Sequence, residues 1–403
     1  MADQLPNTPM LDELEKGKWP SFVKEIKSAA ATNHMSKDLL GILERSYTEK
    51  IGHWKHGGIV GVLGYGGGVI GRYCDLPEDF PGVSHFHTMR INQPAAWFYT
   101  SDALRTICDI WERHGSGMTN MHGSTGDIIL LGTITDELEP TFQELAQAGF
   151  DIGGSGSDLR TPSCCNGMAR CEWACYDTMK MCYELTMHFQ DELHRPAFPY
   201  KYKFKFAGCP NDCVASIARA DMSFIGTWRD EIQVDQAKVK EHIAKGVDIV
   251  QDVILNCPGK CMSWDGDKLD IDNSSCRHCM HCINVLNKAL KPGKDRGITI
   301  LLGAKAPIVE GAQLSAVLIP FYKPDEDEDY EDLKGVIENI WDVWCEHGKN
   351  RERVGEFIQR VGLGNFLEEI ELEPLPEMVA HPRENPYVFY EEYYEEGDDE
   401  EEK

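Results

Sequence analysis

Cys165-Asn-Gly-Met-Ala-Arg-Cys171 and Cys209-Pro-Asn-Asp-Cys213 are the two stretches on which the reading of the fold turns. Thiolates are soft ligands that suit iron–sulfur clusters or zinc, and two pairs supply the four that a cluster cage requires. The spacings, five residues in one pair and three in the other, match neither a CxxC zinc knuckle nor a ferredoxin run. A structural zinc site is the alternative for these four thiols, but it leaves the basic residues around them unexplained. The chain has 15 cysteines, and twelve of them fall between Cys164 and Cys282, with Cys74, Cys108 and Cys345 outside. Clustering of this kind in a chain of this size reads as metal binding rather than as a disulfide framework. Cys164, Cys175 and Cys182 read as helix-packing residues, because free cysteine behaves as a small hydrophobe. Cys164 adjoins Cys165 and competes with it as a ligand.

Immediately before Cys209 runs Lys201-Tyr-Lys203-Phe-Lys205-Phe206. As a strand, its period of two places the three lysines on one face and Tyr202, Phe204 and Phe206 on the other. A solvated edge strand shows the same alternation. Three aligned ammonium groups repel one another, however, and a nearby anion relieves that repulsion. Arg160 lies five residues before Cys165, Arg219 six after Cys213, and Arg72 and Arg90 follow the glycine loop Gly66-Gly67-Gly68. Guanidinium is the group best suited to hold oxyanions and carboxylates through paired hydrogen bonds. The same glycine loop satisfies G-x-G-x-x-G as Gly66-Gly-Gly68-Val-Ile-Gly71. It lacks both the acidic residue expected about 20 positions on and a following βαβ pattern, so a dinucleotide site is rejected. Close backbone approach to a large flat cofactor accounts for the glycines equally well.

A second constellation, Cys276-Arg-His-Cys279-Met-His-Cys282, has the C-x2-C-x2-C spacing of bacterial ferredoxins. The usual fourth cysteine, followed by proline, is supplied upstream as Cys257-Pro258, giving Cys257, Cys276, Cys279 and Cys282 as ligands. Cys261 competes with Cys257 for the fourth position but lacks the proline. His278 and His281 permit a zinc reading and read more simply as solvent-facing loop residues.

Along the chain, residues 11–50 read as helical and Gly58–Gly64 as a buried strand entering the glycine loop. Asp127–Gly132 reads as a strand, and Cys171–His194 as one long helix. Asp235–Lys245 forms an amphipathic helix capped by Gly246. Strands resume at Gly297–Gly303 and Ala316–Pro320, two helices carry Trp341, Trp344, Phe357 and Phe366, and Glu391–Glu402 forms an acidic, disordered tail. The formal charge is −27, from 40 Lys+Arg against 67 Asp+Glu. Such a surface repels nucleic acid and anionic lipid, so neither is expected as a partner. The N-terminus shows no signal-peptide pattern and no apolar run spans a bilayer, so a cytoplasmic protein without membrane insertion is expected.

The Cys-x5-Cys and Cys-x3-Cys pairs resemble those of the sirohaem-dependent sulfite and nitrite reductases. The inserted ferredoxin run resembles the dissimilatory sulfite reductase alpha subunits in particular. So do Thr8-Pro-Met-Leu-Asp12, Trp19-Pro-Ser-Phe22, Gly226-Thr-Trp-Arg-Asp230 and His381-Pro-Arg383. The resemblance implies an α+β sirohaem nitrite/sulfite reductase-like fold with an inserted bacterial ferredoxin-like domain. The expected divisions are a reductase core over 1–235, a ferredoxin-like insertion over 236–305, the rest of the core over 306–385 and a tail over 386–403. It implies a [4Fe–4S] cluster on Cys165, Cys171, Cys209 and Cys213, with Cys213 bridging to sirohaem iron, and a second [4Fe–4S] cluster in the insertion. Arg90, Arg160, Lys201 and Lys203 would face the substrate, and Arg72, Lys205 and Arg219 would bind the tetrapyrrole, whose eight carboxylates supply the missing anions. The implied activity is six-electron reduction of sulfite toward sulfide, free or carried on a small sulfur-carrier protein of the DsrC type. Implied partners are a paralogous beta subunit in an α2β2 assembly and electron-donor proteins. Alternatives are the reverse reaction, sulfur oxidation, and a non-catalytic electron-transfer or structural sirohaem subunit; Trp111 reads either as an aromatic plug that blocks such a site or as a core residue.

Overall fold

The computed structural model describes residues 5–17, 22–92, 97–123, 125–306, 312–324, 330–375 and 378. The acidic tail and the His381-Pro-Arg383 motif lie outside these residues, as do Trp19, Pro20 and Ser21. The chain divides into two compact units. One comprises residues 1–164, 181–204 and 337–357, the other 165–180, 205–336 and 358–403.

The first unit is built on an antiparallel sheet of β1 (Trp54–Ile59), β2 (Val69–Cys74), β3 (His87–Ile91), β4 (Met118–Met121) and β5 (Ile128–Thr133), in the order β1-β2-β3-β5-β4. Alternation along the strands divides its two faces. Val69, Met89, Ile91, Ile128 and Leu130 pack with Ile107, Ile110 and Trp111 of the helix Ser101–His114 and with Leu138 and Leu145 of Leu138–Gln147. On the other face, Trp54, Phe86, Met118 and Leu131 join the core made by the helices Pro9–Glu15, Phe22–Ala30 and His34–Glu49. Strand β6 (Leu159–Cys164) also belongs to this unit. The remaining segments contribute an aromatic cluster in which Tyr202 and Phe198 lie 5.4 and 4.7 Å from the Trp341 ring.

Strand β7 (Tyr202–Ala207) carries the chain into the second unit. There β8 (Met222–Trp228), β13 (Arg296–Leu302) and β14 (Ala316–Tyr322) follow β7 in the order β14-β13-β8-β7, with Ile300 opposite both Phe224 and Ile319. Between β8 and β13 the two-residue strands β9 (Gln233–Val234) and β12 (Leu290–Lys291) pair through Val234 and Leu290. They bracket the cysteine-rich segment, which contains the helix Gln236–Ala244, a π-helical turn Ile249–Ile254, the hairpin of β10 (Met262–Trp264) and β11 (Leu269–Ile271), and the helix His281–Val285. Asp235 caps the helix Gln236–Ala244 by accepting the Lys238 amide, and Gly246 takes φ +102° beyond its end.

Several expectations change. Cys171–His194 is not one helix: the helical turns are Thr178–His188 and Gln190–His194, and Cys171 and Cys175 precede them in a loop. The amides of Cys165 and Cys175 donate to the carbonyls of Phe206 (2.9 Å) and Gly208 (2.7 Å), which holds the loop extended. Asp177 then starts the helix by accepting the amides of Met179 and Lys180. The strand expected over Gly58–Gly64 ends at Ile59 and is an edge strand exposed from Lys55 to Gly58, while the strand after the glycine loop is β2. Three helices, not two, carry the late aromatic residues: Glu331–His347, Val354–Val361 and Leu363–Glu369.

Trp111 is a core residue, not a plug. It is fully buried, its indole N–H donates to the Met118 carbonyl at 2.9 Å, and its ring lies against Gly115. Trp111→Phe therefore removes both volume and a buried hydrogen bond, costing about 2 kcal/mol. The thermal midpoint should fall by a few degrees, whereas a ring serving as a plug could be trimmed with no loss of thermal stability.

Candidate functional site

The first unit gathers Arg72, Arg90, Arg160, Lys201 and Lys203. Arg72 on β2 and Arg90 on β3 share a sheet face, because Ile70, two residues before Arg72, pairs with Thr88, two before Arg90. Arg72, Thr88, Asn120 and Leu131 line a cavity of about 1060 Å³ on that face. Burial, followed by the nearby Arg90 charge, holds the Arg72 guanidinium below its ordinary value. Arg90 Nη1 donates to the fully buried Asp127 carboxylate at 2.9 Å. Arg160 Nε lies 3.2 Å from Asp158 Oδ1 without hydrogen-bond geometry, and its Nη2 donates to the Gly156 carbonyl at 2.8 Å. Burial lowers the Arg160 guanidinium while Asp158 opposes the shift, and burial pushes Asp158 up to about 7 against the pull of Arg160.

The cations thus have counter-charges and still retain unmet demand. Arg90 Nε and Arg160 Nε are buried with no hydrogen-bond partner among the described residues. An orphaned buried donor of this kind is expensive and fits an acceptor that the protein itself does not supply. Tyr202, Phe204 and Phe206 are buried as the strand period requires, with Lys201 and Lys203 half-buried at the alternate positions. Lys201 Nζ also sits 4.9 Å over the Tyr200 ring, which Arg351 approaches at 5.6 Å.

The second unit holds the four paired cysteines together with Lys205 and Arg219. Cys165 Sγ accepts the Gly208 amide at 3.1 Å, and the Cys171 amide donates to Gly167. Asp212 and Ala215 take left-handed φ values of +44° and +52°, which fold Cys209–Cys213 into a turn. Asp212 Oδ1 secures that turn by accepting the Ser216 amide and hydroxyl, each at 2.7 Å. Burial pushes Cys209 up to about 11, and Cys171, Cys213 and Cys165 add to it. Cys213 rises for the same reasons, with Cys165 and Cys171 as its neighbours. The rise of Cys209 and Cys213 beside Cys165 and Cys171 groups the four as a donor set fitted to a cluster, whose charge favours thiolates. Gly226 must be glycine here, since a Cβ would meet the Gly208 carbonyl at 2.1 Å and Cys175 Cβ at 3.0 Å.

Lys205, contrary to a solvated edge-strand role, is buried and donates to the Val214 carbonyl at 3.0 Å. Burial, then Arg219, lowers its ammonium to about 8, with Asp212 opposing. Cys164 and Cys182 are both buried, and Cys182 is raised by burial and then by Cys164, as packing residues are.

The ferredoxin-type cysteines line one cavity with Cys257, Cys261, Cys276, Cys279 and Cys282 all on its wall, alongside Pro258 and Met280. Left-handed Lys260, His278 and Met280 wrap the backbone around it. Cys257 and Cys261 lie 3.5 Å apart. Cys282 is pushed up to about 12 by burial and then by Cys279, Cys276 and Cys257, which places those four thiols within range of one another. His278 is not solvent-facing: it is half-buried, with its ring centroid 4.5 Å from that of Trp228, and burial lowers its pKa. His281 Nε2 contacts the Asp252 carbonyl at 2.9 Å. Sequence patterns did not single out Asp127 or Asp158, since lone aspartates before strands have no spacing signature.

Residues 81–148 match the nitrite/sulfite reductase ferredoxin-like half domain, and residues 155–377 match the nitrite and sulphite reductase 4Fe-4S domain. The class defined by these matches and by the paired cysteines is that of the nitrite and sulphite reductases. The chain is 55% identical to the dissimilatory-type sulfite reductase subunit alpha of Nitratidesulfovibrio vulgaris, over 96% of this chain and 94% of that one. It is 46% identical to the corresponding subunit of Allochromatium vinosum, over 96% and 95%. A crystal structure of dissimilatory sulfite reductase I superposes with a TM-score of 0.89 at 54% identity, covering 96% of each chain. The chain belongs to the family of dissimilatory sulfite reductase alpha subunits. It is an oxidoreductase subunit of the sirohaem and [4Fe–4S] type. Beta subunits of the same enzyme are more distant relatives, at 24% and 20% identity. No helix among the described residues is long and apolar enough to cross a membrane.

Substitution separates the two candidates for the fourth ferredoxin ligand. Cys257→Ser should remove about four irons per chain, and Cys261→Ser should leave the iron content unchanged, as measured by iron and acid-labile sulfide analysis. The opposite pattern would assign the ligand to Cys261.

Proposed function

We propose that this chain, with a paralogous beta subunit in a cytoplasmic α2β2 assembly, reduces sulfite by six electrons toward sulfide, released free or on a small sulfur-carrier protein. The observation that carries the reading is the pair of buried Nε donors on Arg90 and Arg160 that have no hydrogen-bond acceptor among the described residues. Both guanidiniums lie within electrostatic reach of His122, as does Lys203, and together they make a site for a small, doubly charged oxyanion. Family membership supports the same substrate, since the relatives named above are sulfite reductases.

In this reading Cys165, Cys171, Cys209 and Cys213 would hold one [4Fe–4S] cluster, and Cys213 would also serve the sirohaem. Cys257, Cys276, Cys279 and Cys282 would hold the second, which would supply an entry point for electrons from donor proteins. Sirohaem coupled to its cluster supplies, when bound, low-potential electrons and a metal site for sulfur. The protein's own task is charge and protons. Reducing one sulfite dianion to hydrosulfide consumes six electrons and seven protons and releases three waters. Arg90 and Arg160 act as fixed cations that hold sulfite oxygens as negative charge builds, since guanidinium stays protonated. Lys201 and Lys203 can both hold charge and exchange protons. Arg72, on the wall of the large cavity, and Lys205 and Arg219 serve the tetrapyrrole carboxylates. A carboxylate near Lys205 offsets the burial that depresses its ammonium.

Arg160→Ala and Lys203→Ala tested in the purified complex, with a reduced viologen as electron donor, should each raise the KM for sulfite about 10- to 100-fold. Arg160→Lys should recover part of the loss, because it restores charge without the paired donors. Sulfite kinetics unchanged in both alanine variants would overturn this assignment.

A further inference from the structure

A histidine that the sequence patterns left aside sits among the cations. His122 follows β4, in the loop that leads through Thr125 and Asp127 into β5. The loop is fixed at both ends: the His122 amide donates to the Asp127 carbonyl at 3.0 Å, and the Gly126 amide donates to the Thr161 carbonyl of β6 at 3.2 Å. The Thr125 hydroxyl donates to Asp127 Oδ2 at 2.5 Å, so its oxygen is left to accept from His122 Nδ1, also 2.5 Å away. Asp127 Oδ2 additionally accepts from Arg90 Nη1. The chain of bonds therefore runs from Nδ1–H to Thr125, to Asp127, to Arg90. It assigns the proton of the neutral ring to Nδ1 and makes Nε2 the nitrogen that gains and loses a proton.

We propose that His122 is a catalytic proton donor to the oxygens of sulfite, with Thr125 and Asp127 as the positioning residues behind it. The proposal rests on the reading of the site as a sulfite site. The side chain is 31% exposed, so it can be recharged from solvent, whereas Asp127 behind it is fully buried. The charged groups that face the imidazole are Arg90 of β3, Asp127 at the start of β5, Arg160 of β6 and Lys203 of β7. Asp158 lies against Arg160 and Tyr99 near Asp127. Burial, then Arg90, Lys203 and Arg160, disfavour the imidazolium, and Asp127 alone favours it. Burial and the surrounding cations thus disfavour a charged ring until an anion arrives. A sulfite dianion among the same three cations cancels their repulsion and draws a proton onto Nε2. In the transfer the Nε2–H bond breaks and an O–H bond forms on a sulfite oxygen. That oxygen takes a second proton from solvent and leaves as water as its S–O bond breaks, two electrons of the reduction going to sulfur, and solvent reprotonates Nε2. The electrons come from the reduction already described.

Calorimetric titration of the oxidised holoenzyme complex with sulfite at pH 8, in two buffers of different ionisation enthalpy, counts the protons taken up on binding. The unmodified complex should take up more protons than His122→Gln, and comparing the two cancels the buffering of sulfite itself. Turnover of His122→Gln should fall about 100-fold with KM nearly unchanged, and the pH profile should lose one ionisation. Thr125→Val keeps the imidazole but cuts its link to Asp127. It should lower turnover about 10-fold and shift that ionisation, and Thr125→Ser should restore both. Equal proton uptake and equal pH profiles in the unmodified and His122→Gln complexes, with sulfite binding intact in both, would overturn the role of His122 alone. Absence of any sulfite binding by the unmodified complex would overturn the sulfite reading and this proposal with it.

Discussion

Grouping like with like against solvent is the constraint on which this structure depends. Cys209 and Cys213, pushed up by burial and by the cysteines grouped with them, resist becoming thiolates unaided. In the proposed reading cationic metal supplies what they lack, which links cluster binding to the folding of these loops. The left-handed backbone at Asp212 and Ala215 and the Asp212 bonds to Ser216 shape the Cys209–Cys213 turn, and the absence of a side chain at Gly226 lets it lie against Gly208 and Cys175. The same logic repeats around the second cavity, where Lys260, His278 and Met280 bend the chain about five cysteines.

The first unit shows the mirror image, cations gathered in a protein whose formal charge is −27. Arg90 and Arg160 are compensated by Asp127 and Asp158, which lets them be buried, but compensation stops short of satisfying every donor. A completely satisfied salt bridge would be inert. The two Nε–H groups have no hydrogen-bond acceptor among the described residues, which in the proposed reading is the directional demand that an oxyanion meets.

Much of this was legible in the residues because spacing and period carry chemistry directly. The C-x2-C-x2-C run and Cys257-Pro258 do bring their thiols to one cavity, and the lysine–aromatic alternation of 201–206 does bury Tyr202, Phe204 and Phe206. What stayed hidden depended on long-range pairing. Cys171 and Cys175 have helical spacing, yet backbone bonds from Cys165 and Cys175 to Phe206 and Gly208 override it. Trp111 has the size of a plug, and only the position of the Met118 carbonyl and Gly115 makes it core. Asp127, Asp158 and His122 lie in loops, where no periodicity announces a partner on another strand. The comparison with relatives settles the family, while the assignment of individual ligands rests on the donor geometry of this chain.

The most direct test of the central claim, that both cysteine sets are iron–sulfur cages, is anomalous diffraction from crystals of the anaerobically purified complex at the iron and zinc absorption edges. The account predicts iron peaks of cluster size at Cys165, Cys171, Cys209 and Cys213 and again at Cys257, Cys276, Cys279 and Cys282, with a further iron beside Cys213. A single zinc peak at either set would contradict it.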